Sequence, residues 1–334
     1  MSKIATKILE SNDWLMVIES YKKKVLVIDQ KVYALISDEQ KSILACSPFF
    51  IFEANESNKN FEQYQRILSF FYEEKVSRDY QIIAVGGGIT CDITAFAAST
   101  FKRGCQLVFV PTTLLAMVDA AIGGKTAINF RSTKNCIGSF YPAAVVIIDL
   151  AFLETLELID KKNGLTEILK IALLENSELL QAMQNTDFVI DYKIIKQAID
   201  LKLEYCEEDL YDNGKRQLLN LGHTIAHLIE SNSRFTVSHG EAVAYGLSLI
   251  SKICLQRQQI DRNYYNQIDE LLAKHNLKQN LEIDLSKEEI LKQILHDKKN
   301  RENLSLPMFS GAAVKLLEIE VGDFAEILSE YFNK

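Results

Sequence analysis

The segment that most restricts the fold runs from Gln81 to Asp92, QIIAVGGGITCD: a short apolar run enters Gly86-Gly87-Gly88 and leads to a small-residue helix starting near Asp92. Strand, glycine turn and helix in that order outline a phosphate cradle. Glycines let the backbone approach a pyrophosphate, and the N–H groups of the helix start point at the anion. The pattern is not GxGxxG, because Cys91 stands at the third glycine position, and a GGG turn after a strand is equally compatible with a tight connection.

Other apolar runs extend the theme. Lys24 to Asp29 (KVLVID), Phe49 to Phe52 (FFIF), Leu107 to Val110 and Val145 to Asp149 read as buried parallel strands, and FEQYQRILSFFYEE from Phe61 to Glu74 reads as a helix. The alternation predicts a parallel α/β domain over 1–150. Beyond Phe152 the texture changes to helices with short connections. ENSELLQAM, DYKIIKQAIDLKLEYCEED, RQLLNLGHTIAHLIE and GEAVAYGLSLISKICLQ have helical period, with Asn176 and Asp191 as caps of the first two, so 151–334 is expected to be an all-α domain. Only four prolines occur, and Pro307 is the sole one after residue 150. With no repeat, low-complexity tract or flexible linker, the domains are expected to abut with the site between them.

Composition narrows the function classes. A chain of 334 residues, 48% hydrophobic and 25% charged, is that of a folded protein long enough for two cores. A net charge of −8 and a pI near 5.3 argue against a general nucleic-acid or anionic-membrane binder. The six cysteines are scattered with no CxxC pair, which indicates neither a zinc knuckle nor a disulfide framework. The first residues lack the apolar run of a signal peptide, and a cytoplasmic enzyme is the expectation.

Three of the five histidines fall between Arg216 and Glu241. On a continuous helix at about 100° per residue, Arg216, Asn220, His223 and His227 share an arc of roughly 60°, opposite Leu218, Leu221, Ile225, Leu228 and Ile229. A stripe of Arg, Asn and His suggests a lined cavity rather than a wet face. His223 and His239 could hold a metal with Glu167 of NGLTEILK, which sits one helical turn from Lys170 in an apolar segment where an unpaired acid is expensive. Two imidazoles and one carboxylate leave an open position for a substrate oxygen. The i, i+4 pair His223 and His227 is the competing metal reading.

A second polar cluster lies in GGKTAINFRSTKN, where Lys125, Lys134 and Asn135 sit beside glycines and suit a phosphate, with Arg103 of FKRGC as a bidentate partner. Asp119 within LLAMVDAAIGG calls for a cap or a buried pair.

Taken in order, GGGITCD, RG, VPTTLLAMVDAAIGGKTAIN, KNCIGSFY, FLETL, TEILK, RQLLNLGHTIAHLIE, HGEAVAYG and DKKN resemble the 3-dehydroquinate synthase family, the shikimate-pathway members of the sugar-phosphate cyclases. The resemblance runs from about Lys24 to beyond Lys299. It implies an N-terminal Rossmann-like domain that binds NAD, a helical C-terminal domain that holds Zn2+ or Co2+, and a homodimer. Carried over residue by residue, it implies Glu167, His223 and His239 as metal ligands and moves His227 to the substrate. The NAD side resembles Asp29, Glu56, Lys59, Gly87, Gly88, Asp92, Thr112, Thr113, Lys134 and Thr155. The substrate side resembles Arg103, Asp119, Lys125, Asn135, Lys170, Lys202, Arg216, Asn220 and His227, with Lys298, Lys299 or both, and Arg103 is expected near the dimer interface.

The implied reaction converts 3-deoxy-D-arabino-heptulosonate 7-phosphate to 3-dehydroquinate and phosphate by oxidation at C5, elimination, reduction, ring opening and aldol closure. Departures from the family pattern fall at Cys91, Ala127, Thr166 and Ala226, where a position needing φ > 0 would make a Cβ costly, and at Pro142, which directly follows Tyr141. The segment before Lys24 is shorter than usual, so a first hairpin is expected to be reduced or missing. A sister cyclase such as a 2-deoxy-scyllo-inosose synthase, or a metal-dependent polyol dehydrogenase, is the alternative. Lys202, Arg216 and Asn220, implied carboxylate contacts, favour the first reading. A lapsed enzyme kept as a scaffold predicts losses among these residues, and the sequence has none.

Overall fold

The computed structural model describes residues 6–131, 133–175, 177–233, 236–297 and 303–332. The chain separates into two compact units, Met1–Gly164 with Ile190–Tyr211 and Leu165–Val189 with Asp212–Lys334. This division differs from a single cut after residue 150, because residues 190–211 belong with the first unit.

The first unit contains, in chain order, β1 (Lys7–Ser11), α1 (Trp14–Glu19), β2 (Lys24–Asp29), α2 (Gln30–Leu35), α3 (Asp38–Leu44), β3 (Phe49–Phe52), α4 (Phe61–Glu73), β4 (Gln81–Gly86), α5 (Gly88–Thr100), β5 (Gln106–Pro111), β6 (Lys125–Phe130), β7 (Thr133–Phe140) and β8 (Val145–Asp149). Six strands form one parallel sheet in the order β1-β8-β5-β4-β2-β3. Val25–Ile28 and Ile82–Val85 are 0% exposed, which is why these strands read as unbroken apolar runs instead of alternating ones. Trp14, Leu15 and Ile18 of α1 join Leu26, Ile28 and Val108 in the core. Before Lys24 the described residues form β1, parallel to β8, and α1, with no hairpin. Helix α5 starts at Gly88, one turn before the position expected from sequence.

The stretch between β5 and β8 holds a π-helical turn at Ala116–Ala120 and the antiparallel hairpin β6–β7, which bulges between Ile128 and Phe130. Neither feature was expected from sequence. Helix α6 (Leu158–Leu174) carries the boundary between the units, α7 (Glu178–Gln184) lies in the second and α8 (Tyr192–Glu208) in the first. Asp191 caps α8 as expected, its side chain accepting from Ile194 N. Asn176 lies outside the described residues, and the cap of α7 is Ser177.

The second unit continues with α9 (His223–Asn232), α10 (His239–Gln256), α11 (Arg262–Lys274), α12 (Lys287–Asp297), β9 (Asn303–Ser310), β10 (Ala313–Glu320) and α13 (Val321–Phe332). It is helical, with a correction to the all-α expectation: β9 and β10 pair as an antiparallel hairpin turning at Gly311. Leu304, Leu306, Met308 and Phe309 of β9 are buried, so that strand closes a core and is not an appendage. No helix among the described residues is long and apolar enough to cross a membrane.

Candidate active site

In the first unit, strand order reverses between β2 and β4: from β2 the chain moves outward to β3, then returns to β4 and moves outward through β5. Open parallel sheets bind ligands beyond the carboxyl ends of the strands at such a point. Asp29 ends β2 and Gly86 ends β4. A Cβ on Gly86 would stand 2.7 Å from that of Thr90 and 3.0 Å from that of Asp29, and a Cβ on Gly88 would stand 3.1 Å from that of Ala120. Bare backbone is therefore required at this turn. Gly87 is the N-cap of α5 and contributes no side-chain cap, so no cap side chain occupies the first N–H groups of the helix. Asp29 accepts from Lys31 N at 2.9 Å, yet burial holds its pKa above the usual carboxylate range.

Lys59 is 4% exposed, and its Nζ lies 2.5 Å from both Asp92 Oδ2 and Asn135 Oδ1. Burial raises the pKa of Asp92, against the pull of Lys59 and with a further push from Asp119 and Glu56. Asn135 takes a left-handed backbone, φ 53°, which asparagine tolerates better than most residues, and its N–H donates to Asn129 Oδ1 at 2.9 Å. Asn129 in turn donates from Nδ2 to Glu56 Oε1 at 2.7 Å and from its backbone N–H to Lys59 O at 2.7 Å. The structure thus joins Glu56, Lys59, Asp92 and Asn135 through Asn129, a residue the sequence reading does not single out. Its only signal is its place at the end of GGKTAIN.

Asp119 sits in the π-helical turn, where Lys202 Nζ donates to its carbonyl at 2.6 Å and to Oδ1 at 2.5 Å; the ammonium is buried and the carboxylate half-buried, so its apolar setting is answered by a pair. Thr112 donates its N–H to Gly86 O at 3.0 Å, and Thr113 Oγ1 accepts from Ala116 N at 3.1 Å. Lys134 is half-buried, while Lys125, Thr155 and Arg103 are exposed, the last in a left-handed run with Lys102 and Gly104.

The Lys59–Asp92 contact carries a prediction. Lys59→Met leaves Asp92, whose side chain is 19% exposed, without its cation, and is expected to cost about 2 to 3 kcal/mol at pH 7, somewhat below a fully buried pair. Because the folded-state pKa of Asp92 lies above the unfolded value and rises further in the variant, the deficit grows as pH rises through the wild-type folded value and shrinks as the medium is acidified. Urea titrations of both proteins at pH 5 and pH 8 check this; an equal deficit at the two pH values rejects the assignment.

In the second unit, Glu167 is 0% exposed on α6 and forms an ion pair with Lys170, one turn on. His239 Nε2 lies 3.3 Å and His223 Nε2 3.6 Å from Glu167 Oε1. Donor atoms of Glu167, His223 and His239 all fall within 4.8 Å of one another, as a small cation requires, and His227 is outside that group. Although burial alone would raise it, Lys170 and the two imidazoles hold Glu167 well below the usual carboxylate range. The two rings shift oppositely. Burial and the Lys170 charge push His223 down to about 3, whereas His239, despite burial, is raised to about 10 by Glu167 and Glu230. The pocket stabilises positive charge beside Glu167, which a divalent cation would also supply. Two imidazole nitrogens and one carboxylate oxygen therefore fit such an ion.

One expectation is corrected here. Arg216 and Asn220 do not share a helix with His223 and His227: residues Lys215–Asn220 form a 3-10 turn, and α9 begins after Gly222, whose φ is +78°. The arc drawn on one continuous helix does not exist. Gly222 packs on α10 so closely that a Cβ on Gly246 would lie 2.3 Å from Gly222 O. Arg216 is 2% exposed, Asn220 half-buried and His227 exposed, its ring centroid 5.9 Å from that of His223. Lys298 and Lys299 lie outside the described residues. Of the family departures, Cys91, Ala127, Thr166 and Ala226 have no positive φ, so a Cβ there meets no left-handed backbone penalty.

Residues 49–163 match the 3-dehydroquinate synthase N-terminal family and residues 164–300 the 3-dehydroquinate synthase C-terminal family. The 3-dehydroquinate synthase of Clostridium tetani (strain Massachusetts / E88) is 35% identical over 314 residues, covering 91% of this chain and 84% of its own. Among solved structures, 2-epi-5-epi-valiolone synthase from Streptomyces hygroscopicus subsp. jinggangensis 5008, with NAD+ and Zn2+ bound, superposes with a TM-score of 0.84 at 24% identity over 99% of this chain and 98% of its own. A 2-deoxy-scyllo-inosose synthase complexed with carbaglucose-6-phosphate, NAD+ and Co2+ gives a TM-score of 0.84 at 24% identity over 97% and 96%. At that identity the two structures establish the shared fold.

Proposed function

The chain belongs to the 3-dehydroquinate synthase family, and from that premise we propose that it converts 3-deoxy-D-arabino-heptulosonate 7-phosphate to 3-dehydroquinate and phosphate. It is a lyase of aromatic amino-acid biosynthesis. The observation that carries the reading is the convergence of His223 Nε2, His239 Nε2 and a Glu167 oxygen in a chain that matches both halves of the family.

When bound, NAD supplies a reversible hydride acceptor, and Zn2+ or Co2+ a Lewis acid for neighbouring substrate oxygens. The residues of the chain hold these groups and the substrate. Gly87 and Gly88 present bare backbone and the start of α5 to the dinucleotide phosphates, and Asp29, at the end of the adjacent strand, serves the ribose. Glu56, Lys59 and Asp92 form the wall beside them, with Thr112, Thr113, Lys134 and Thr155 completing the NAD side. Glu167, His223 and His239 take the metal.

Lys125, Asn135 and Arg103 receive the substrate phosphate, together with Lys298 or Lys299, and Lys202 and Arg216 receive the carboxylate. Asp119 holds the Lys202 ammonium in place. Lys170 offsets the charge of Glu167, and Asn220 and His227 orient substrate hydroxyls. Because the departing phosphate can itself take the proton, the work of the protein is positioning and charge complementarity. A homodimer with Arg103 near its interface and a cytoplasmic location belong to the same proposal.

Purified protein supplied with NAD and Zn2+ is expected to release inorganic phosphate from the heptulosonate phosphate, read with a molybdate assay. No release, with turnover of glucose 6-phosphate or sedoheptulose 7-phosphate in its place, would assign the chain to a sister cyclase.

A further inference from the structure

Both imidazoles of the metal group turn the same atom inward. Nε2 of His223 and Nε2 of His239 face Glu167 Oε1 at 3.6 and 3.3 Å, so each Nδ1 points elsewhere and needs a partner of its own. For His223 the partner is the Leu221 carbonyl, 3.3 Å away. For His239 it is Glu230, whose Oε2 lies 3.7 Å from Nδ1.

Glu230 is an acid with 8% exposure in α9, where the other buried residues are Ile225, Ala226, Leu228 and Ile229. An acid in that setting is expensive unless its charge is answered. Counting from His223, it occupies the i+7 position and so shares a helix face with that ligand. No step of the proposed reaction uses it.

We infer that Glu230 is a positioning residue for His239: its negative charge favours the imidazole proton on Nδ1, which leaves the Nε2 lone pair for a divalent cation and keeps the ring turned toward Glu167. Metal-binding histidines commonly answer their second nitrogen with a carboxylate or a carbonyl, and the carboxylate gives the more basic ligand. Here the two ligands differ in that respect, carbonyl for His223 and carboxylate for His239, which makes His239 the stronger donor. At 3.7 Å the contact is longer than a hydrogen bond, so the carboxylate acts on the Nδ1–H dipole through its charge, and charge is the property that matters. Glu230→Gln, which keeps the shape and removes the charge, is the informative variant.

The inference rests on the metal reading, and the test separates the two. Full-length wild type, Glu230→Gln and Glu230→Ala are titrated with Zn2+ against a chromogenic chelator, with circular dichroism and thermal unfolding of each protein measured alongside. Zn2+ affinity is expected to weaken about 10- to 100-fold in Glu230→Gln and at least as much in Glu230→Ala. The d–d bands of the Co2+-substituted protein should shift in the Gln variant. A merely structural residue would lower the melting temperature of the metal-free protein and leave the affinity of the folded variants unchanged; that result overturns the proposal.

A measurement on wild type avoids dependence on variant folding. In 15N-histidine spectra of the Zn2+-loaded protein, His239 is expected to carry its proton on Nδ1, and a proton-free Nδ1 overturns the proposal. Wild type that takes up no Zn2+ overturns the metal reading along with it. Uptake by wild type with equal affinity in both variants overturns the role of Glu230 alone.

Discussion

His239→Ala is expected to emerge from gel filtration without bound metal, whereas His227→Ala keeps its metal and turns over more slowly. The difference follows from geometry and not from sequence spacing. His239 Nε2 lies 3.3 Å from Glu167 Oε1, inside the cluster of donor atoms, and removing it leaves one imidazole and one carboxylate, too few to retain a divalent ion. Affinity should fall by far more than the 10- to 100-fold that loss of an outer partner causes. His227 stands beside His223 with its ring nearly perpendicular, 89°, and exposed, and it is not one of the three donors grouped around Glu167 among the described residues. Its removal should cost about 10- to 1000-fold in phosphate release through lost orientation of substrate. Metal analysis of dialysed protein together with the phosphate assay reads both effects. Equal metal loss in the two variants sinks the ligand assignment.

Gly246→Ala should unfold the second unit at markedly lower denaturant. The new Cβ would stand 2.3 Å from Gly222 O and 3.0 Å from Gly222 C, both backbone atoms, so no side-chain rotation relieves the contact. Overpacking a tight core costs about 1–3 kcal/mol and more where backbone must move, and about 3 kcal/mol or more is expected here. Gly311→Ala supplies the comparison. Its φ is +63° with nothing within 4 Å of the built Cβ, so it meets only the left-handed backbone penalty of about 1–2 kcal/mol.

The Gly246 variant has a second consequence. The contact sets α9 against α10, and His223 and His239 are the first residues of those helices. Pushing them apart should weaken Zn2+ binding as well as stability, an effect Gly311→Ala does not share. A Gly246→Ala protein as stable as wild type, with unaltered Zn2+ affinity, would show that the helices do not depend on this approach.

Much of this was legible in the chain. Unbroken apolar runs at KVLVID and QIIAV identify strands buried on both faces, because only a covered parallel sheet removes both sides of a strand from water. The glycine turn after QIIAV and the acid ending KVLVID mark the carboxyl edge of that sheet, since only glycine lets backbone reach a phosphate there. The nine motifs in order identified the family.

Tertiary structure decided the rest, because those features depend on contacts far apart in sequence. Helical periodicity drew Arg216 through His227 as one rod. Close packing of Gly222 against Gly246 requires a left-handed residue that ends one helical segment and starts another, and no local pattern announces it. The β6–β7 hairpin, with its bulge beside Asn129, carries no period-2 signature, because neither strand alternates cleanly. Glu230 reads in sequence as an ordinary helical acid, and only the arrival of α10 places His239 Nδ1 before it. Residue types and spacing determined which chemistry the chain carries; which atom of each ring faces the metal position, and what answers the other, was decided by how α6, α9 and α10 pack, since proximity between distant segments is created by folding alone.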